Sequence, residues 1–181
     1  MSEIMVLRHG STPGNEEGIL MGGRLDFALS SIGEEQAANK GRELNAAGYR
    51  PDTVFTSYLE RSRQTAKIIL PLLGYIGPMI LTAELNERDF GIYNGKPYQR
   101  VKDAFRDEGD SPATVEPQDH FIMRVTQAFE RIKHETKGKT LVITHSNPQH
   151  VMQALAFEPE NVQSYWQVQD FDHCQGFTYT F

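Results

Sequence analysis

Apolar residues along this chain follow two rhythms. Ile4-Met5-Val6-Leu7 runs unbroken into Arg8-His9-Gly10, and Thr140-Leu141-Val142-Ile143-Thr144 runs into His145 in the same way. A short continuous apolar run bounded by a turn signal reads as a buried strand. Gly10 and Pro13-Gly14 then mark a loop, and residues 18–30 are glycine-dotted and irregular. Thr53-Val54-Phe55-Thr56 reads as a further strand, Pro78 to Thr82 as another, and aromatic-rich Gly176 to Phe181 closes the chain. Between these runs the spacing is helical. Ser31-Ile32-Gly33-Glu34 fits a capping box, opening a helix with Ala37, Ala38, Gly41 and Leu44 inward and Gly48 as its stop. Arg61 to Leu70 is predicted helical, with Ala66, Ile69 and Leu70 apolar and Pro71 near its end. Phe121, Ile122, Val125, Phe129 and Ile132 share one helical face. Asn147-Pro148 is expected to cap and open a last helix with Val151, Met152 and Leu155 inward.

Residues 83–118 resist this reading, because Gly91, Gly95, Pro97, Gly109, Pro112 and Pro117 break the pattern. A short helix is predicted around Tyr98, Val101 and Phe105. The stretch from about 90 to 118 reads as a lid or side insertion within one domain spanning 1–181. Elsewhere strand and helix alternate, so the expected class is α/β, a three-layer α/β/α sandwich with a mainly parallel central sheet. The pattern leaves the strand order open.

Composition narrows the class further. A chain of 181 residues suits one sizeable domain. A net charge of -6 argues against a nucleic-acid partner, since a phosphate backbone needs a basic surface. A small anionic substrate stays compatible with it if a few arginines are focused in one cleft. The lone Cys174 excludes an intramolecular disulfide and reads as a packing residue. No apolar run approaches a membrane span, and the N-terminus lacks a basic-then-apolar leader. A cytoplasmic location, with no membrane partner, is therefore expected.

Three strand ends carry the candidate chemistry. Arg8 and His9 follow one strand, Arg61 opens the helix after another, and His145 follows a third. In a parallel sheet these ends lie on one edge, where open α/β sheets place their ligand crevice. Histidine is a nucleophile at neutral pH, and arginine clamps phosphoryl groups. A helix N-terminus at Arg61 adds to the positive field. The combination points to phosphoryl transfer. Glu84, Glu87 and Asp89 are candidate acids between which spacing does not choose. His145 and His150 have no third ligand at metal-site spacing, and His150 reads as an exposed helix residue.

The motifs carry a resemblance. Leu7-Arg8-His9-Gly10-Ser11-Thr12, with Asn15 six positions after the histidine, resembles the Arg-His-Gly-x-Thr/Ser loop of the histidine phosphatase superfamily, in its phosphoglycerate mutase-like branch. Ser57-x-Leu59-x-Arg61-x-x-Gln64-Thr65-Ala66 matches a second family segment at every fixed position. Leu29-Ser30-x-x-Gly33-x-x-Gln36-Ala37, Leu85-Asn86-Glu87-Arg88-Asp89-Phe90-Gly91 with Asn94-Gly95, and Thr144-His145 supply the other blocks, in the family's order.

The resemblance implies a phosphoglycerate mutase-like fold. It also implies that His9 attacks phosphorus and becomes a phosphohistidine, with its other ring nitrogen donating a hydrogen bond, expected to go to backbone. Arg8, Arg61 and His145 would hold the phosphoryl oxygens, and Glu87 would protonate the leaving oxygen and later activate water. Glu87 needs partial burial or negative charge on the substrate to carry that proton. No metal or other cofactor is implied. Asn15 and Thr12 either contact phosphoryl oxygens or make turn hydrogen bonds. Gly23 and Arg24 are further substrate-binding candidates, Arg24 reaching a second anionic group or else facing solvent. The chain departs from the family at Ser146, which stands where a glycine usually follows the second histidine and so narrows the approach to the phosphoryl group. Thr114-Val115-Glu116-Pro117 likewise replaces the family's usual Gly-Glu-Ser. About two dozen residues separate Gly95 from the late helix, fewer than a mutase has. That favours hydrolysis of a small phosphorylated metabolite over mutase-type transfer. A non-catalytic phospho-ligand-binding domain is the reading from a different class, and oligomeric state is left open.

Overall fold

The computed structural model describes residues 1–103 and 112–181 of the chain. Its five strands are β1 (Glu3–Arg8), β2 (Thr53–Thr56), β3 (Met79–Leu81), β4 (Lys139–Thr144) and β5 (Gly176–Thr180), in the spatial order β3-β2-β4-β1-β5. The first four are parallel and β5 is an antiparallel edge on β1. β4 lies between β1 and β2, pairing Arg8 with Thr144 on one side and Thr56 with Ile143 on the other. The three ends that carry candidate chemistry are therefore neighbours on one edge.

Alternation along the strands fills both faces. On one face Leu7, Val54, Leu141 and Ile143 pack with Ala37 and Leu44 of α2 (Ser31–Ala46) and with Ala66, Ile69 and Leu70 of α3 (Glu60–Leu72). On the other, Ile4, Val6, Phe55 and Val142 pack with Phe121, Val125, Phe129 and Ile132 of α5 (Gln118–Glu135) and with Val151 and Met152 of α6 (Ser146–Phe157). This is the expected three-layer arrangement. Two further short helices, α1 (Pro13–Glu16) and α4 (Tyr98–Val101), lie in loops on the site side. Cys174 is buried in the first cluster, and burial pushes its thiol up to about 12. Among the described residues no helix is long and apolar enough to cross a membrane.

Helix ends refine the sequence reading. α2 is capped by Ser30 rather than Ser31. Ser30 has extended backbone, with φ −78° and ψ 170°, and its hydroxyl accepts from Gly33 N. Gly48, at φ +70°, ends α2 as expected; Tyr49 N reaches Leu44 O and Gly48 N reaches Asn45 O, the paired bonds of a Schellman stop. α6 begins at Ser146 with His145 as its N-cap, so Asn147-Pro148 lies inside the first turn instead of opening the helix. The segment after β3 contains 3-10 turns at Ala83–Leu85 and Gly91–Tyr93 before α4, and it ties to the first loop by an isolated Ile19–Pro97 bridge. Phe105 and Gly109 lie outside the described residues. A 3-10 stretch, Pro159–Gln167, follows α6 where no periodicity had indicated an element.

Candidate functional site

His9 sits one residue beyond β1, 3% exposed, with its backbone N–H donating to Thr144 O as if the strand continued. Its Nδ1 lies 2.7 Å from Gly10 O. A carbonyl only accepts, so the proton is on Nδ1 and Nε2 carries the lone pair. That nitrogen faces Arg61, whose Nε–H is 3.3 Å from it and 3.2 Å from His145 Nδ1. Because His145 Nδ1 accepts, its proton is on Nε2 and goes to Ser57 Oγ, at 2.7 Å. Ser57 in turn contacts Ser62 Oγ, and Ser62 donates to Leu59 O. The chain of donors runs one way, from His145 into the start of α3.

Arg61 is 1% exposed, and its other nitrogens are held by Leu25 O and Gly22 O at 2.9 Å each, with Asp26 Oδ1 at 3.5 Å. Asp26 also accepts from Glu60 N at the first turn of α3, so one carboxylate orients the helix end and its arginine together. The second sequence segment resolves into tasks. Thr65 Oγ1 takes Gly10 N at 3.0 Å while donating to Arg61 O, and Gln64 Oε1 takes Leu29 N at 2.8 Å. From α2, Gln36 Oε1 takes Ser11 N at 2.8 Å. The loop after His9 is thereby pinned to two helices. The pinning needs close backbone approach: a methyl on Gly33 would overlap the Ser11 carbonyl, and one on Gly10 would meet Gly33 O at 2.5 Å.

Burial, with Arg61 and Arg8 next in importance, holds the His9 imidazole well below its ordinary 6.5; burial and then Arg61 do the same to His145. Both rings are neutral at physiological pH. Their centroids are 5.0 Å apart. Arg8 donates from Nη1 to Phe171 O at 3.1 Å, while its Nε is buried without a hydrogen-bond partner. A buried unpaired guanidinium N–H at a cavity wall favours an anion there.

These groups face a cavity of about 400 Å³ whose lining includes Arg8, His9, Asn15, Arg61, Glu87 and Ser146. Of the three candidate acids only Glu87 lines it. Its carboxylate accepts from Arg88 N at 2.8 Å and from Asn147 N, at the start of α6, at 3.4 Å. Glu84 instead faces Arg131, and Asp89 binds Arg24, Gly91 N and Asn94.

Several expected contacts lie elsewhere. Arg24 pairs with Asp89 at 2.7 Å, stays more than half exposed and is absent from the described cavity lining. Gly23 donates its N–H to Arg88 O and its Cα packs against Glu87 O, which places it behind the acid loop. Thr12 is fully buried and caps α1, exchanging hydrogen bonds with Asn15; it makes the turn contacts, while Asn15 also reaches the cavity wall. His150 is 8% exposed, not on an open face, because the loop after the 3-10 stretch covers it and brings Asp170 Oδ1 within 3.0 Å of its Nε2.

Sequence reasoning missed that loop altogether. His173 donates from Nδ1 to His9 O at 3.0 Å, its ring 5.4 Å from that of His9, and burial and Arg8 bring its pKa down to about 4. Tyr165, Trp166 and Asp170 complete the outer cavity. These residues come from a stretch without apolar rhythm, and no local signal marks them.

The sequence model of the histidine phosphatase superfamily (branch 1) matches residues 4–175. A 2,3-bisphosphoglycerate-dependent phosphoglycerate mutase of Thermobifida fusca (strain YX) is 42% identical over 109 residues, 60% of this chain and 44% of that protein. Fructose-2,6-bisphosphatase TIGAR B of Danio rerio is 34% identical over 143 residues, 73% of this chain and 55% of that protein. The chain thus spans about half the length of the curated relatives it matches. Among solved structures, a candidate alpha-ribazole-5'-P phosphatase from Escherichia coli str. K-12 substr. MG1655 superposes with a TM-score of 0.80 at 26% identity, covering 94% of this chain and 86% of that one. With its motif blocks converging on one sheet edge and the family model running nearly end to end, this chain belongs to the histidine phosphatase superfamily, branch 1.

Proposed function

We propose that this chain hydrolyses a small phosphomonoester through a phosphohistidine on His9. The observation that carries the proposal is the tautomer. With Nδ1 tied to Gly10 O, the His9 lone pair is on Nε2, beside Arg61 Nε–H at 3.3 Å, at a cavity also lined by Arg8, Arg61 and Glu87. In the first step Nε2 bonds to phosphorus as the ester P–O bond breaks, and the leaving oxygen takes a proton from the Glu87 carboxyl. In the second, water attacks the phosphohistidine, its proton returns to Glu87, the P–N bond breaks and phosphate leaves. Charge on the phosphoryl oxygens is met by the guanidinium groups of Arg8 and Arg61. Low basicity suits His9 to this part, since its nitrogen is unprotonated when the ester arrives. His145 is fully buried and presents only an acceptor, Nδ1, beside Arg61 Nε–H, while its Nε2–H is given to Ser57. A phosphoryl oxygen that meets it does so as P–O–H, donating to Nδ1 while the ring stays neutral, and Ser57 stays as acceptor for the other N–H.

Phosphate release from an aryl phosphate tests this reading. Wild type is expected to turn over, and His9→Ala to lose at least about a thousandfold in kcat. Equal release by the two proteins refutes it. Mutase-type transfer is the second reading, favoured by the identity to phosphoglycerate mutases. Isomerisation of phosphoglycerate outrunning phosphate release in the same reaction would establish it instead.

A further inference from the structure

The outer half of the cavity has a chemistry of its own. Past His9 the wall is built from three segments. Ile19 and Leu20 pair with the strand-like stretch before α4, through Leu20 N to Lys96 O and Gly95 N to Leu20 O, and Tyr98 N closes the pairing on Gly18 O. Phe90 comes from the acid loop, and Tyr165 and Trp166 from the 3-10 stretch, their rings 5.4 Å apart and edge-on. Ile19 and Leu20 are half-buried, while Tyr98 and Trp166 keep 36% and 41% of their surface exposed. Apolar side chains held partly open on several sides of one cavity form a binding wall, because a core would have closed over them.

Charge points the same way. Arg8 and Arg61 stand at the phosphoryl end. Arg88, the other cation in the described lining, is 5% exposed, donates to Glu116 O and to the Tyr165 hydroxyl, and lies over the Phe90 ring at 5.7 Å. Arg24 is turned away onto Asp89. Asp170, ionised and held by His150 and by Phe171 N, also lines the cavity. A carboxylate or second phosphate on the leaving group would meet this charge with no further open Lys or Arg among the described lining residues to offset it. A volume of about 400 Å³ also exceeds what a phosphoryl group on a three-carbon acid fills.

Resting on the phosphatase reading above, we infer that the substrate is the monophosphate of an uncharged alcohol bearing a flat aromatic ring, seated against Ile19, Leu20, Tyr98 and Trp166. Bisphosphates and phosphorylated carboxylic acids are excluded.

The test compares kcat/KM for 1-naphthyl phosphate, glycerol 3-phosphate and 3-phosphoglycerate, with phosphate trapped on His9 as a parallel readout. The expected order places 1-naphthyl phosphate at least about tenfold above glycerol 3-phosphate, with 3-phosphoglycerate lowest. Trp166→Ala, at an exposed position, lowers the ratio of naphthyl to glycerol phosphate turnover by about fivefold or more; Ile19→Ser does the same from the opposite segment and stands in should the first protein fold poorly. If His9 is labelled but 3-phosphoglycerate is used as well as naphthyl phosphate, or the ratio stays fixed in both variants, the substrate inference is overturned while the mechanism stands. If no monoester labels His9, the mechanism falls and takes the inference with it.

Discussion

Two imidazoles are buried beside arginines at the centre of this fold, and that arrangement makes stability depend on pH in a calculable way. His9 and His145 are 3% and 0% exposed, and both pKa values are held well below 6.5, first by burial and then by Arg61. In the unfolded chain each recovers an ordinary pKa of about 6.5. Between the folded and unfolded values the unfolded state binds more protons. Stability is therefore whole above about pH 6.5 and falls as pH drops below it. A histidine that stays neutral in the fold contributes up to about 1.4 kcal/mol per pH unit there, so the pair loses up to about 4 kcal/mol between about pH 7 and about pH 5. That is a large share of the roughly 5–15 kcal/mol that holds a domain together. Asp89 and Asp170, whose pKa values are lowered from 3.8, lose their contribution only at more acid pH. Half-buried His173 adds a smaller loss in the same direction, since water screens part of its environment. Urea unfolding of the wild type at the two pH values measures the difference, and His145→Asn is expected to remove about half of the paired contribution. A midpoint unchanged from pH 7 to pH 5, or a pH dependence untouched by His145→Asn, refutes the assignment of these rings as neutral.

Other outcomes follow from the packing around the same residues. Gly33→Ala forces a methyl onto the Ser11 carbonyl and displaces the loop that carries His9, so turnover falls at least about tenfold, with a loss of roughly 1–3 kcal/mol in urea unfolding. Ser57→Ala leaves His145 Nε2–H and Leu59 N–H without their acceptor, costing about 1–3 kcal/mol; its pH–rate profile shifts, a change that a packing loss alone does not produce. Phe129→Ala, in the centre of α5 and fully buried, costs about 3–5 kcal/mol by unfolding while leaving kcat of the folded fraction unchanged.

What was legible in the sequence follows from where order is local. β1 and β4 are covered on both faces, so their apolar residues run unbroken and the runs announce themselves. Arg8, His9, Arg61 and His145 were readable because each sits at the end of such a run or at the first turn of the next helix. The strand order was not, because β4 inserts between β1 and β2 from far along the chain. Ser30 and Ser31 are equivalent to a capping rule, and only the backbone angles decide between them. His150 looked exposed because the residues that cover it, around Asp170, belong to a loop whose path is set by tertiary contact. Asp26 and His173 act on Arg61 and His9 across long sequence separations, through a carboxylate and a single N–H, and nothing in their own neighbourhoods distinguishes them. The ion pair of Arg24 was not legible for the related reason that its partner Asp89 lies in the acid loop, far along the sequence but next to it in space.

The central claim is that His9 Nε2 takes the phosphoryl group. Rapid quenching during turnover of a radiolabelled aryl phosphate, followed by peptide fragmentation, tests it directly. The account predicts phosphate that is acid-labile and base-stable, on the peptide carrying His9, absent from His9→Ala and accumulating in Glu87→Gln, where water activation is lost. Turnover with no covalent phosphate at any quench time, or label on another residue, would contradict it.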